Sequence, residues 1–498
     1  MKHDTFDFCP VYDQERKIAN VYISKISAHG LSGLAQSKQS GGQCQIQFAG
    51  LSACANPASS SPTSVTTLNL SATKARLLIG GTPFQLSATV TPTTNAVSWT
   101  SSNSAVATVS SSGVVTVLSV GSATITATSG SISATCDITG NVLFITGSII
   151  TSSGNQVPVY WRNGVQTILT TTPDQPNGTT CGLSTSGNDI IVCGYKANAD
   201  WSSVTPVYWQ NGNSHALAIP TGYYSTGGEW IDQSTDAAGN SYIRGTLVSR
   251  ANHNNIPGYW LNGTWTPLSM TLAPGVTASS GDINTTYWDS TTKYWGGWLV
   301  DPTTNKQVPV YWANGVVSVV SLGTGQIASD AATYNGAFIS SIVGPPDLPS
   351  VTFFLSANDS NYRPMDPTML TNGMYTPVST GGTSNGVIWF ASTLKNGTII
   401  AQGGIGSSVN FYNAAPMYWK NWQVIQLTTP NGYPFGNAGS WQYTDSADLV
   451  FTGNIGSTTT EQLPVYWLNN SIVSLPLGSY NGISNISGEA KNCTLVNY

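Results

Sequence analysis

Residues 221–230 read TGYYSTGGEW, and similar short stretches mix aromatics with acids and amides elsewhere in the chain. Trp201, Tyr223, Tyr224, Trp230, Tyr433, Phe435 and Trp441 all sit in Gly-, Asn- or Pro-rich segments between apolar runs, and Glu229 and Asp232 lie beside them. Aromatic faces stack on the C–H faces of sugar rings while nearby amides and carboxylates take the hydroxyls, so this mixture suits saccharide contact. Rings of this kind also serve to pack loops down. The residues alone leave both roles open.

A hydrolytic or lytic reaction on a saccharide needs two carboxylates facing one cleft. Asp174, Asp200, Asp301, Asp359, Asp366 and Glu461 fall on the same segments, but their spacing does not say which converge. The histidines of this region are His215 and His253. No His-Glu-x-x-His, Gly-x-Ser-x-Gly or calcium-loop pattern occurs, so no catalytic residue, metal ligand or cofactor is assigned. The seven cysteines lack zinc spacing. Two of them, Cys181 and Cys193, flank GLSTSGNDIIV. A three-residue loop at 186–188 sets them opposite each other, within reach of a disulfide. A two-residue loop moves the register by one and sends them to opposite faces. Buried thiols are the alternative to the bond.

What positions these segments is a strand scaffold. Only 8% of the 498 residues are charged, against about 25% in ordinary domains, and 16 Trp and 22 Tyr stand among many Gly, Ser, Thr and Asn. β-Branched and aromatic runs between Gly/Asn turns favour strands throughout, and no amphipathic helix is expected after residue 60. The net charge of −5 is not clustered, so nothing points to nucleic acid, and no apolar run is long enough for a transmembrane helix.

The segment VPVYWRNGV at 157–165 returns with its proline at 206, 257, 309, 416 and 464, and in degraded form at Pro367, where Met369 and Leu370 replace Tyr-Trp. The intervals are 48, 51, 52, 58, 49 and 48 residues. A second motif, seen in TGNVLFITG and SGNDIIVCG, interleaves with it. Two hairpins per unit of this length predict a four-stranded propeller blade, and the count predicts seven blades over 141–498. TDAAGNSYIRG also looks like repeats of bacterial seven-bladed propellers. The first unit lacks an innermost strand. The chain end, around NGISNISG at 481–488, is expected to supply it and close the ring. The repeated Tyr and Trp are expected to pack between blades, because a packing solution recurs where an active site need occur once. The Pro is expected at a strand start. Function is expected on the rim where the B–C and D–A connections emerge.

Residues 64–140 carry a GGT turn, TVTP, an SWTSS strand, VATVSSSGVVT and GSATITA. They resemble the group 2 bacterial immunoglobulin-like domain, with Trp99 as core Trp. The resemblance implies a β-sandwich that acts as a presenting spacer on bacterial surface proteins. Residues 1–63 are read as a disordered leader or tether. There LSAC at 51–54 resembles a lipobox, which makes Cys54 a candidate lipidation site and the only route to membrane anchoring. The expected fold is therefore all-β: an immunoglobulin-like β-sandwich followed by a seven-bladed β-propeller. The expected function is a non-catalytic, extracellular or cell-surface binding or adhesion protein, its partner a glycan or a surface protein. A propeller glycoside hydrolase or polysaccharide lyase, and a structural scaffold for a surface assembly, are the alternatives.

Overall fold

The computed structural model describes residues 67–496 except 92–95, 187–188, 227–231, 236–239, 289–290, 324–325, 334–335, 344–351, 359–363, 373, 380–385, 394–397, 406–414, 458–461 and 481–482. Below residue 67 it describes only the backbone of four short strands. Among these, Phe8–Tyr12 pairs with Ala19–Ile23, and Gln36–Ser40 pairs with Gln43–Gln47. The segment expected as an unstructured leader thus carries two hairpins, while Cys54 lies outside the described residues.

Residues 65–498 make one compact unit, nearly all strand. Its N-terminal part is the expected sandwich. Gly121–Ser129 pairs on one side with Ser98–Ser101 and on the other with the first half of Ile132–Thr151, which pairs in parallel with Lys74–Leu78. Alternation along Gly121–Ser129 turns Ala123, Ile125 and Ala127 inward, and Ile125 joins Leu77, Leu86, Val115, Cys136 and Ile138 in a closed apolar core. Trp99 packs half-buried against it, and a Cβ on Gly113 (φ 83°) would meet the Trp99 ring at 2.8 Å. That contact and the left-handed backbone both call for glycine in the Ser112-Gly113 turn.

No linker separates the two parts, because Ile132–Thr151 is a single 20-residue strand serving both. Its first half closes the sandwich; its second half pairs with Gln156–Arg162 as a propeller blade. The sandwich also docks sideways on the last blade. Asp448, fully buried, accepts from the Thr82 N–H (3.0 Å) and from Asn469 Nδ2 (2.6 Å). Asp445 accepts from the Arg76 N–H at 2.6 Å, and its own N–H donates to the Arg76 carbonyl at 2.9 Å. A Cβ on Gly81 would collide with the Asp448 carboxylate, so the GGT turn serves this junction as well as the sandwich.

The remainder is a β-propeller. Blade 1 is built from Ile132–Thr151, Gln156–Arg162 and Val165–Ile168 with Ile483–Val496. Blades 2 and 4 to 7 are four-stranded sheets at 177–216, 281–319, 337–377, 386–426 and 435–474. Blade 3, at 223–267, has its inner strand in two pieces, Tyr223–Tyr224 and Asp232–Thr235. Each sheet after the first runs A–B–C–D in chain order, and blade 1 takes its strand A from the chain end. The chain end does close blade 1, lying antiparallel on Ile132–Thr151. The pairing stretch begins within the NGISNISG match and runs past it: Asn485–Val496 faces Val142–Thr151. One helix, Gln326–Thr333, interrupts the connection between blades 4 and 5 where none was expected. At eight residues it is too short to show a periodic signature.

The repeated nonapeptide forms strand C and the turn to D. Its Trp is buried in six blades, and each indole N–H crosses to a carbonyl at the end of the preceding blade: Trp161 to Pro476 (3.0 Å), Trp209 to Thr170 (2.8 Å), Trp260 to Ala218 (2.7 Å). Trp312, Trp419 and Trp467 reach Ser269, Ser379 and Thr428, each at 2.6 Å. The Trp thus combines apolar burial with a bond across the seam. The Pro is the third residue of strand C in Gln156–Arg162 rather than its first. Its carbonyl accepts from the residue just past strand D, as Leu169 to Pro158 at 3.0 Å, so its nitrogen faces the point where D ends and no ladder donor is lost. The turn Asn adopts φ near 50°, and its Oδ1 accepts from the start of strand B, as Asn211 does from the Ile190 N–H at 2.9 Å.

The second motif ends in Gly for a different reason. In blades 1, 2, 4, 5, 6 and 7 strand A carries one extra residue: Lys491, Cys181, Asn284, Ser340, Trp389 and Gly439. The bulge presses strand A onto strand B. A Cβ on Gly147, Gly194, Gly297 or Gly453 would overlap a strand A carbonyl oxygen: that of Glu489, Thr179, Asp282 or Asn437.

The turn at 186–189 decides the cysteines. Ser186 pairs with Asp189, so the loop is the two-residue one, and Gly182, not Cys181, faces Cys193. No disulfide joins them; both are buried thiols in the cluster with Leu247 and Trp260. The expected bond is corrected, because the two-residue loop shifts the register by one, and Cys181 falls beyond the pair as the bulge residue.

Candidate functional site

Three connections on the B–C/D–A rim meet between blades 2 and 3: the B–C loop of blade 2 (198–203), the D–A connection (217–225) and the B–C loop of blade 3 (250–254). They enclose a pocket of about 760 Å³ lined by Ser202, Thr205, Tyr223, Tyr224, Arg250 and His253, among others.

The local sequence explains the shape. Pro220 opens a turn closed by the Tyr223 N–H to the Pro220 carbonyl at 3.2 Å, with Gly222 at φ 94°. Tyr223 and Tyr224 then pair with Ser249 and Val248, which fixes both rings half-buried at the seam. The Arg250 N–H donates to the Gly222 carbonyl at 2.8 Å, and its Nε to the Tyr223 carbonyl at 3.2 Å. Its guanidinium lies 5.3 Å from the Tyr224 ring centre. The Tyr224 hydroxyl and His253 Nδ1 are 3.1 Å apart, and His253 is held at φ 58°.

Trp201 is 38% exposed on the neighbouring loop and adopts φ 61°. A bulky residue in the left-handed region is a strained choice. The loop is tied down around it: the Trp201 N–H donates to the Asn198 carbonyl at 3.2 Å, the Ser203 N–H to Asn198 Oδ1 at 2.9 Å, and the ring meets Tyr195 edge-on at 6.1 Å. Asp200 Oδ1 accepts from the Ser202 hydroxyl (2.8 Å) and N–H (3.1 Å), and those bonds hold its carboxyl below the usual range. Asp301 is likewise held low by the Thr303 N–H at 2.8 Å. Both acids are committed to turns of their own loops.

Of the residues singled out in the sequence, Tyr223 and Tyr224 come together in this pocket and Trp201 stands on a loop that borders it. Glu229 and Trp230 lie outside the described residues, and Asp232 is placed in strand A of blade 3 with its side chain undescribed. On the last blade Trp441 is corrected, while Tyr433 and Phe435 are half-buried. Phe435 and Trp441 belong to strand A of blade 7, Phe435–Tyr443, rather than to a loop. Trp441 is 7% exposed and packs on Phe451, and Tyr433 packs half-buried on the same cluster. Arg250 and His253 were given no role from sequence; their only signal is their place in a B–C loop. His215 stacks on Tyr208 at 4.8 Å and belongs to the scaffold.

Other charged groups serve the ring. Lys491, the bulge residue of blade 1, pairs with Glu489 at 2.9 Å. Burial opposes its charge, but the Glu489 carboxylate, together with Cys181 and Tyr195 nearby, outweighs this and holds the amine above its usual range. Among the described residues no cluster of His, Cys, Asp or Glu is arranged to hold a metal, and no helix is long and apolar enough to cross a membrane.

Residues 64–138 match the family described as Bacterial Ig-like domain (group 2). No curated protein matches the chain. Among solved structures, the β-propeller domain of the Trilobed protease from Pyrococcus furiosus is similar at 7% identity and a TM-score of 0.38, over 73% of this chain and 94% of that one. AofleA from Arthrobotrys oligospora is similar at 12% identity and a TM-score of 0.34, over 57% and 82%. A fucose lectin from Kordia zhangzhouensis is similar at 15% identity and a TM-score of 0.23, over 28% and 96%. With likeness this remote, the ligand of this chain has to be argued from its own residues.

Proposed function

We propose that the chain is a non-catalytic bacterial surface or secreted protein whose seven-bladed propeller binds a saccharide in the pocket between blades 2 and 3. In this reading residues 1–63 are the tether, lipidated at Cys54, residues 64–140 are the immunoglobulin-like module and residues 141–498 the propeller. The observation that carries the reading is the pair Tyr223 and Tyr224, held by backbone pairing at the seam with Arg250 and His253 beside them. Rings fixed in this way offer stacking faces at little entropic cost, and the Ser and Thr hydroxyls of the lining offer hydrogen bonds to sugar hydroxyls. The shared strand Ile132–Thr151 makes the immunoglobulin-like module a rigid strut for that rim rather than a flexible arm.

A glycan array probed with the full chain tests the reading. We expect binding to one saccharide class, weakened roughly tenfold or more in Tyr224→Ala with the melting temperature nearly unchanged. Binding that Tyr224→Ala leaves intact would move the site elsewhere.

A further inference from the structure

Arg250 is exposed, yet its side chain is fixed in place. Its Nε is used by the Tyr223 carbonyl, and its plane is held near the Tyr224 ring. That engages one of the five guanidinium donors. Among the described residues the two terminal amino groups make no hydrogen bond or ion pair, and they stand at a pocket whose described lining contains no Asp or Glu. On the adjoining loop, Asp200 is turned onto Ser202. A preoriented guanidinium fork presents two parallel N–H donors, which a carboxylate accepts in bidentate fashion and a lone hydroxyl does not. His253 adds an imidazole at the same mouth, its Nδ1 engaged by Tyr224 and its Nε2 without a partner among the described residues.

We infer that the pocket takes an acidic saccharide, with the sugar carboxylate bidentate on the terminal nitrogens of Arg250 and the ring against the Tyr223–Tyr224 pair. This rests on the saccharide reading above and narrows it to uronic or sialic acid residues. Arg250 is then the residue that separates acidic from neutral sugars, while the tyrosines serve both.

The test uses the full chain, titrated by calorimetry with oligogalacturonate, oligoguluronate and sialyllactose, each beside its carboxyl-reduced counterpart. At least one acidic probe is expected to bind, its reduced form at least about tenfold more weakly. Arg250→Gln should lose roughly 10- to 100-fold for the acidic probe, and Arg250→Lys should recover part of that through charge without the fork. Melting curves of both variants check that the exposed substitution leaves the fold intact. Equal binding of acidic and reduced probes, with no effect of Arg250→Gln, overturns the acidic preference and leaves the saccharide reading standing. Absence of binding by every probe, acidic and reduced alike, overturns both.

Discussion

The Tyr375 hydroxyl donates to the Ser321 carbonyl at 2.6 Å, across the seam between blades 4 and 5. Blade 5 is the one whose motif Trp is replaced, by Leu370, and Tyr375 is the strand D residue paired with Leu370. Ser321 is the residue just past Val320, the place that Thr170 holds after Leu169 and Thr428 after Leu427. The bond that an indole makes in other blades is here made by a phenol from the next strand. Tyr375→Phe should lower stability by about 1 kcal/mol, read by chemical denaturation of the full chain. Wild-type stability in this variant would mean that the seam bond contributes nothing.

Ring closure predicts a steric effect. Any side chain at position 147 meets the Glu489 carbonyl on the closing strand Ile483–Val496. Gly147→Ala should destabilise the chain by about 1–3 kcal/mol or more, as overpacking does. Thermal melting decides; a melting point equal to that of the parent would show that the closing strand yields without loss.

The junction between sandwich and propeller centres on Asp448. Asp448→Ala removes a buried carboxylate and the acceptor of two part-buried bonds, from the Thr82 N–H and from Asn469 Nδ2. A loss of about 1–3 kcal/mol is expected. Limited proteolysis should find new cleavage near Gly80-Gly81 while the propeller resists. An unchanged digestion pattern would remove Asp448 from the junction.

The thiols give a chemical test. Burial pushes the Cys493 thiol up to about 12, against its ordinary value of 9.0, although Ser440 and Thr452 pull the other way. A raised pKa means that the folded chain keeps the proton where the unfolded chain would release it. The stabilisation is present below pH 9 and fades as pH climbs from 9 toward 12. Iodoacetamide at pH 8 should leave Cys493, Cys181 and Cys193 unlabelled in the native protein and label all three after denaturation. A Cys181–Cys193 bond in unreduced peptides would contradict the register at Ser186–Asp189.

Much of this fold is written locally. The interval between prolines, the Asn-Gly turns and the GGT and SWTSS strands each depend on a few adjacent residues, so they announced blades and sandwich without any tertiary information. The structural role of the repeated Trp was legible as well, because repetition itself argues for packing. What the sequence did not carry was decided by contacts between distant segments. The two-residue turn between Ser186 and Asp189 set Gly182 opposite Cys193, and the one-residue bulge of strand A, an accommodation between neighbouring strands, left Cys181 without a partner in the register. Trp441 reads like a loop aromatic until blade 6 and Phe451 close over it. Arg250 and Tyr224 are 26 positions apart, one in the B–C loop of blade 3 and the other on its inner strand. Only the pairing of Tyr224 with Val248 brings the guanidinium to the ring. Periodicity is a property of neighbours in the chain; a pocket is a property of neighbours in space.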